Sequence, residues 1–138
     1  MATMKQLWWV DWDQIELREV EIPQVKPNEV KVKVAYAALC ATDVHQVTMG
    51  VMNSKPPAPL GHEASGTIVE LGEQAAAAGY KVGDNVTMFP VSHCGECEWC
   101  KKGMTQYCIN SKPTGAFAEY VVTDVKTIYK LPDNVELR

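Results

Sequence analysis

Two stretches, QIELREVEI (Gln14–Ile22) and EVKVKVAYA (Glu29–Ala37), alternate apolar and polar residues with a period of two. Successive side chains of a strand point to opposite faces, so each stretch reads as a half-buried strand. PQVKPN between them holds two prolines and an asparagine, the chemistry of a turn. The rest of the chain repeats this rhythm. EASGTIVELG (Glu63–Gly72) reads as a strand, with Gly66 at a bulge or a close backbone approach. Asn85–Phe89 is a short strand after a turn at Gly83-Asp84, and GAFAEYVVT and TIYKLP supply two more. NSKPPAPLG (Asn53–Gly61) carries three prolines and reads as a surface loop. The alanine run Ala75–Ala78 is a helical or loop excursion, and Thr42 or Asp43 can cap a short helical turn. Trp8, Trp9 and Trp12 are expected to pack in the core or along an edge. Many short strands at close spacing predict a mainly β fold, a partly open barrel with short helices.

With 138 residues the chain fits one domain, 1–138, with no repeat or linker. A chain of this size buries about two thirds of its unfolded surface, so it does not need staples to form a core. The net charge of −4 argues against a nucleic-acid or anionic-membrane partner. No apolar run reaches the roughly 18 residues of a membrane span. The start, MATMKQLWWVDWDQ, lacks the basic and apolar regions of a signal peptide. The expected compartment is the reducing cytoplasm, where clustered cysteines read as metal ligands rather than disulfides.

Four of the five cysteines fall in HCGECEWCKKGMTQYC, spaced C-x2-C-x2-C-x7-C at Cys94, Cys97, Cys100 and Cys108. Four thiolates close a tetrahedral shell around zinc and leave no open position, which makes this a structural site. Gly95 and Gly103 let the backbone wrap tightly. Disulfides and an iron–sulfur cluster are the alternatives. Ferredoxin runs also begin C-x2-C-x2-C but continue x3-C-P, whereas here seven residues intervene and Ile109 follows Cys108. His93 could compete as a ligand, but four cysteines make it unnecessary. Lys101-Lys102 reads as a solvated turn.

The fifth cysteine, Cys40, stands in LCATDVH (Leu39–His45), and GHE (Gly61–Glu63) follows the proline loop. A lone cysteine is most often a small buried hydrophobe. A cysteine, a histidine and a carboxylate from separate segments are also the parts of an open zinc site, and thiolate with imidazole favours zinc over magnesium or calcium.

In this order the segments LREVEIPQVKPNEVKVKVAYAALCATDVH, PLGHEASGTIVELG, YKVGDNV, the four-cysteine lobe, GAFAEYVV and IYKLPDN resemble the N-terminal, GroES-like catalytic domain of zinc-dependent medium-chain alcohol dehydrogenases over nearly the whole chain. GHEASGTI is most similar to polyol and sorbitol dehydrogenases. The resemblance implies a GroES-like partly open barrel with a zinc lobe, one structural zinc and one catalytic zinc. It implies that Cys40 and His62 ligate the catalytic zinc, with Glu63 a ligand directly or through water. Thr42 would bond the substrate oxygen and pass its proton to His45, and Asp43 would orient His62. Zinc acts in such enzymes as a Lewis acid, and a nicotinamide cofactor takes the hydride.

No G-x-G-x-x-G occurs in the chain. The resemblance therefore implies that NAD or NADP binds through a Rossmann domain absent here, along with a further zinc ligand and a returning segment. The expectation is a truncated catalytic domain, inactive alone, of an alcohol or polyol dehydrogenase whose full-length form is a homo-oligomer. The Cys108–Gly115 link is shorter than in many relatives, and LWWVDW is an unusually aromatic start. A non-enzymatic zinc-stabilised β module for binding or assembly is the competing reading.

Overall fold

The computed structural model describes residues 2–50 and 54–138. Among the described residues, ten strands and three short α-helices follow one another in the order β1 (Thr3–Asp11), β2 (Gln14–Glu21), β3 (Glu29–Ala37), α1 (Ala41–Met49), β4 (Ala58–Pro59), β5 (Ala64–Leu71), α2 (Glu73–Ala77), β6 (Asn85–Met88), β7 (Val91–Ser92), α3 (Glu98–Lys101), β8 (Lys112–Pro113), β9 (Tyr120–Asp124) and β10 (Ile128–Lys130). A five-stranded sheet in the order β10-β6-β5-β3-β9 and a three-stranded sheet in the order β2-β1-β4 form the body. β7 and β8 pair separately at the base of the cysteine lobe. All named pairings are antiparallel.

The chain just before β9 stitches the two sheets together. Leu7 donates its N–H to the Phe117 carbonyl at 2.8 Å, Glu119 donates to Lys5 at 3.2 Å, and Val34 donates to Glu119 at 3.0 Å. The mainly β fold expected from the strand pattern is the one observed, in the GroES-like form that the resemblance implied.

The core follows from the alternation in β3. Val30 and Val32 are fully buried and pack with Ile68, Val86, Met88, Val121 and Ile128 from the neighbouring strands. Gly66 lies where β5 passes β3, and a Cβ there would run into the Lys33 carbonyl oxygen. The register of β3 shifts between Val34 and Tyr36 opposite it, so close approach and bulge occur together.

Four expectations change in the structure. The first strand, β1, precedes the two alternating stretches; Trp9 is fully buried in it and Trp8 half-buried. β2 is a strand as expected but is not half-buried: Ile15 is 54% and Leu17 65% exposed, because β2 is an edge with nothing packed on that face. The proline segment is more than a surface loop. Ala58–Pro59 pairs with Trp8 and Trp9, and Leu60 and Gly61 are buried; Asn53 lies outside the described residues. Finally, α1 is capped by Cys40 rather than by Thr42 or Asp43. Asp43 stands three residues in and accepts the Cys40 N–H at 3.0 Å, the reciprocal half of a capping box.

Candidate functional site

β3 and β5 are antiparallel neighbours, with Ala37 opposite Ala64. The pairing continues one step further, where Ala38 donates its N–H to the Glu63 carbonyl at 3.0 Å. Cys40 and His62 therefore meet just beyond the end of this strand pair, although 21 residues lie between them. The His62 side of the meeting point is pinned by backbone bonds: Leu60 donates to Leu7 at 3.0 Å, Phe117 donates to Leu60 at 3.0 Å and Ala116 donates to Gly61 at 2.8 Å. Gly61 has φ +88°, and a Cβ there would lie 2.5 Å from the Phe117 nitrogen, so only glycine fits.

Asp43 joins the two segments. It is 3% exposed, and its carboxylate accepts three donors: the Cys40 N–H (3.0 Å), the Gly61 N–H (3.2 Å) and the His62 ring at Nδ1 (3.2 Å). Anchoring Nδ1 fixes the imidazole and leaves Nε2 as the nitrogen available to a metal. That Nε2 lies 4.0 Å from a Glu63 oxygen. One ligand atom each from Cys40, His62 and Glu63 all lie within 4.8 Å of one another. A soft thiolate, an imidazole and a carboxylate at this separation fit a zinc ion, with fewer than four protein ligands and a position to spare.

Thr42 and His45 extend from the same end of α1. Thr42 Oγ1 lies 3.5 Å from Cys40 Sγ, which donates to it. His45 follows one helical turn later and is exposed. Cys40, Thr42, Asp43, His62 and Glu63 thus gather at one corner of the barrel, and His45 lies further along the helix that starts there.

The four remaining cysteines form a second cluster. Their sulfurs lie within 4.8 Å of one another, and none is in a disulfide. Gly95 and Gly103 take φ +72° and +76°, the left-handed turns that let so short a segment fold back on itself. Backbone amides point at the sulfurs: the Cys97 N–H donates to Cys94 Sγ and the Cys94 N–H to Cys108 Sγ, both at 3.4 Å. The Glu96 amide, then that of Cys97, pulls the Cys94 thiol down to about 6. Burial, reinforced by the Cys97 sulfur, pushes the Cys100 thiol up to about 12. Such a shell of donors suits thiolates shared by one metal ion. Sequence reasoning missed Asn110, whose side-chain amide lies 3.7 Å from Cys94 Sγ; an amide two residues past the last cysteine was the available signal. His93 is not among the grouped ligand atoms; it lines a cleft beside the cluster with Phe89, Val91, Tyr107 and Cys108 itself. Lys101 and Lys102 are solvated, with Lys102 beside Glu98 and over the Trp99 ring.

An antiparallel, partly open barrel with Cys40, His62 and Glu63 at one corner and a four-cysteine lobe has the architecture of a GroES-like domain. Residues 26–133 match the family model described as the alcohol dehydrogenase GroES-like domain, and the chain belongs to that family. Among curated proteins it is 35% identical over 130 residues to D-arabitol-phosphate dehydrogenase of Enterococcus avium, covering 90% of this chain and 36% of that protein. It is 35% identical over 128 residues to L-threonine 3-dehydrogenase of Pyrococcus furiosus, covering 87% of this chain and 36% of that protein. Among solved structures it superposes on a dehydrogenase of Sinorhizobium meliloti 1021, described as zinc-binding and bound to NADP. There the TM-score is 0.83 and the identity 32%, over 99% of this chain and 41% of that one. The chain thus spans about a third of the length of the curated relatives it matches.

Proposed function

We propose that this chain is the catalytic domain of a zinc-dependent dehydrogenase that moves hydride between a small alcohol or polyol and NAD(P). The observation that carries the reading is the convergence of Cys40, His62 and Glu63, with Asp43 tying the two strand ends together. A module using only the cysteine lobe needs none of these groups. Zinc held by Cys40, His62 and Glu63 supplies a Lewis acid for the substrate oxygen. Thr42, beside the Cys40 sulfur, bonds the substrate oxygen and relays its proton, accepting it while its own hydroxyl proton passes on to His45. His45 is exposed one turn away and hands that proton to solvent. Cys94, Cys97, Cys100 and Cys108 hold a structural zinc whose filled shell has no place for substrate. The names of the relatives, which include D-arabitol-phosphate dehydrogenase and L-threonine 3-dehydrogenase, support a hydroxyl-bearing substrate. The dinucleotide is bound by chain outside these 138 residues, and the domain alone is inactive.

Zinc analysis and activity together test this. The chain should carry up to two zinc ions, one lost in Cys40→Ser and the other in Cys97→Ser. The complete gene product should oxidise an alcohol with NAD(P), and Cys40→Ser should abolish that. One zinc insensitive to Cys40→Ser, with no activity on primary, secondary or polyol substrates, would leave the binding-module reading in its place.

A further inference from the structure

β2 is a free edge: among the described residues it pairs with β1 alone. It runs for eight residues without a proline, glycine or lysine to blunt it. Ile22 donates its N–H to the Ala2 carbonyl at 3.0 Å, in register with the Thr3–Glu21 pairing. By the alternation of an antiparallel ladder, the even-numbered residues of β2 turn their backbone groups toward β1. Ile15, Leu17, Glu19 and Glu21 therefore turn theirs outward. The side chains of Ile15 and Leu17 are 54% and 65% exposed. Ile15 lines a largely apolar groove of about 290 Å³ with Leu7, Leu39, Val44, Leu60 and Phe117, and Asp43 and Thr48 also border it. Leu39 and Val44 are themselves 75% and 50% exposed, so the apolar face is continuous from the edge onto α1.

The charges along the edge select one partner and one register. Two-fold antiparallel pairing of identical edges must bring outward-facing residues opposite each other. Centring the axis on Glu16, Arg18 or Glu19 sets identical charges face to face, which is destabilising, and centring it on Ile15 or Val20 pairs only three residues of each β2. Centring it on Leu17 sets Leu17 against its own copy, Ile15 against Glu19, and Glu16 against Arg18 twice. We propose that β2 pairs in this register with β2 of a second copy, forming a homodimer whose three-stranded sheets merge into one of six strands, with the apolar groove closing beside it. The contact uses no residue of either metal cluster.

Sedimentation equilibrium of the 138-residue chain and three charge variants tests it, with near-ultraviolet circular dichroism confirming that each variant is folded. The parent should be a dimer. Glu16→Arg and Arg18→Glu each turn both cross-strand attractions into repulsions and should weaken the dimer about tenfold or more. The double variant Glu16→Arg/Arg18→Glu restores opposite charges in the same register and should return to within about threefold of the parent, an estimate from the same pair energies. A monomeric parent overturns the proposal, as does a dimer indifferent to the single variants or one that the double variant fails to rescue. So does a longer gene product that is monomeric yet protects the Ile15 and Leu17 amides from hydrogen exchange, because its own chain then covers the edge.

Discussion

Asp43 has two carboxylate oxygens and accepts three donors from two segments that are distant in sequence. Its burial means that each donor left without it would be desolvated and unpaired. Asp43→Asn keeps the size but replaces one oxygen with a donor, which must face the Cys40 N–H or the Gly61 and His62 donors. The imidazole then loses its fixed tautomer, and the Cys40 turn loosens with it. We expect zinc affinity at the Cys40–His62 cluster to fall about 10–100-fold, measured by competition with a chromophoric chelator. The four-cysteine zinc should remain at full stoichiometry in the same titration. Unchanged affinity at the first cluster would show that Asp43 does no more than cap α1.

The lobe from Cys94 to Cys108 is an element of a different kind. Its sulfurs lie close together because glycines turn a short segment back on itself, so its ligand set is legible from spacing alone. The Cys40–His62 meeting is not legible that way. It depends on the β3–β5 register, a long-range pairing that periodicity cannot specify, and only family resemblance brought the two segments together before the fold did. β1 escaped the alternation test for a related reason. Gln6 is buried among apolar neighbours, where its side-chain oxygen accepts the Trp8 indole N–H at 2.9 Å, and the consecutive Trp8 and Trp9 break the period of two. In β2 the pattern was present and the burial was not, since a period of two reports which residues share a face and says nothing of what covers it. The lobe's self-contained geometry gives it its own stability. Cys97→Ser should release its zinc and abolish hydrogen-exchange protection of amides within Cys94–Cys108, while amides of Val30, Val32 and Ile68 in the barrel keep theirs. Loss of protection throughout the chain would mean that the lobe is part of the barrel's cooperative unit.

At the scale of the whole molecule, β10 forms one edge of the five-stranded sheet, and Asp84 fastens it there. The Asp84 carboxylate is almost fully buried at the turn leading into β6 and lies 2.8 Å from Lys130 Nζ on β10. It also accepts the Lys81 N–H at 3.0 Å, while Leu131 donates to the Asn85 carbonyl at 2.9 Å. The Lys130 ammonium holds the Asp84 carboxyl below its ordinary value, with the Lys81 amide adding to this and burial opposing it. Asp84 in turn raises Lys130. A carboxyl depressed in the folded state binds fewer protons there than in the unfolded chain, so stability rises with pH through that range. The Asp84 contribution is therefore complete above its unfolded value of 3.8 and disappears as pH falls through the lower folded value. The Lys130 contribution is complete below 10.5 and disappears as pH rises through its raised folded value. Lys130 is half exposed, so solvent screening keeps the pair's contribution small. Lys130→Met should accordingly lower the urea midpoint at pH 7, and the gap from the parent should narrow in acid as Asp84 becomes protonated in both proteins. A gap that stays constant from pH 7 down to the acid limit would assign the loss to packing of the Lys130 stem instead of to its charge.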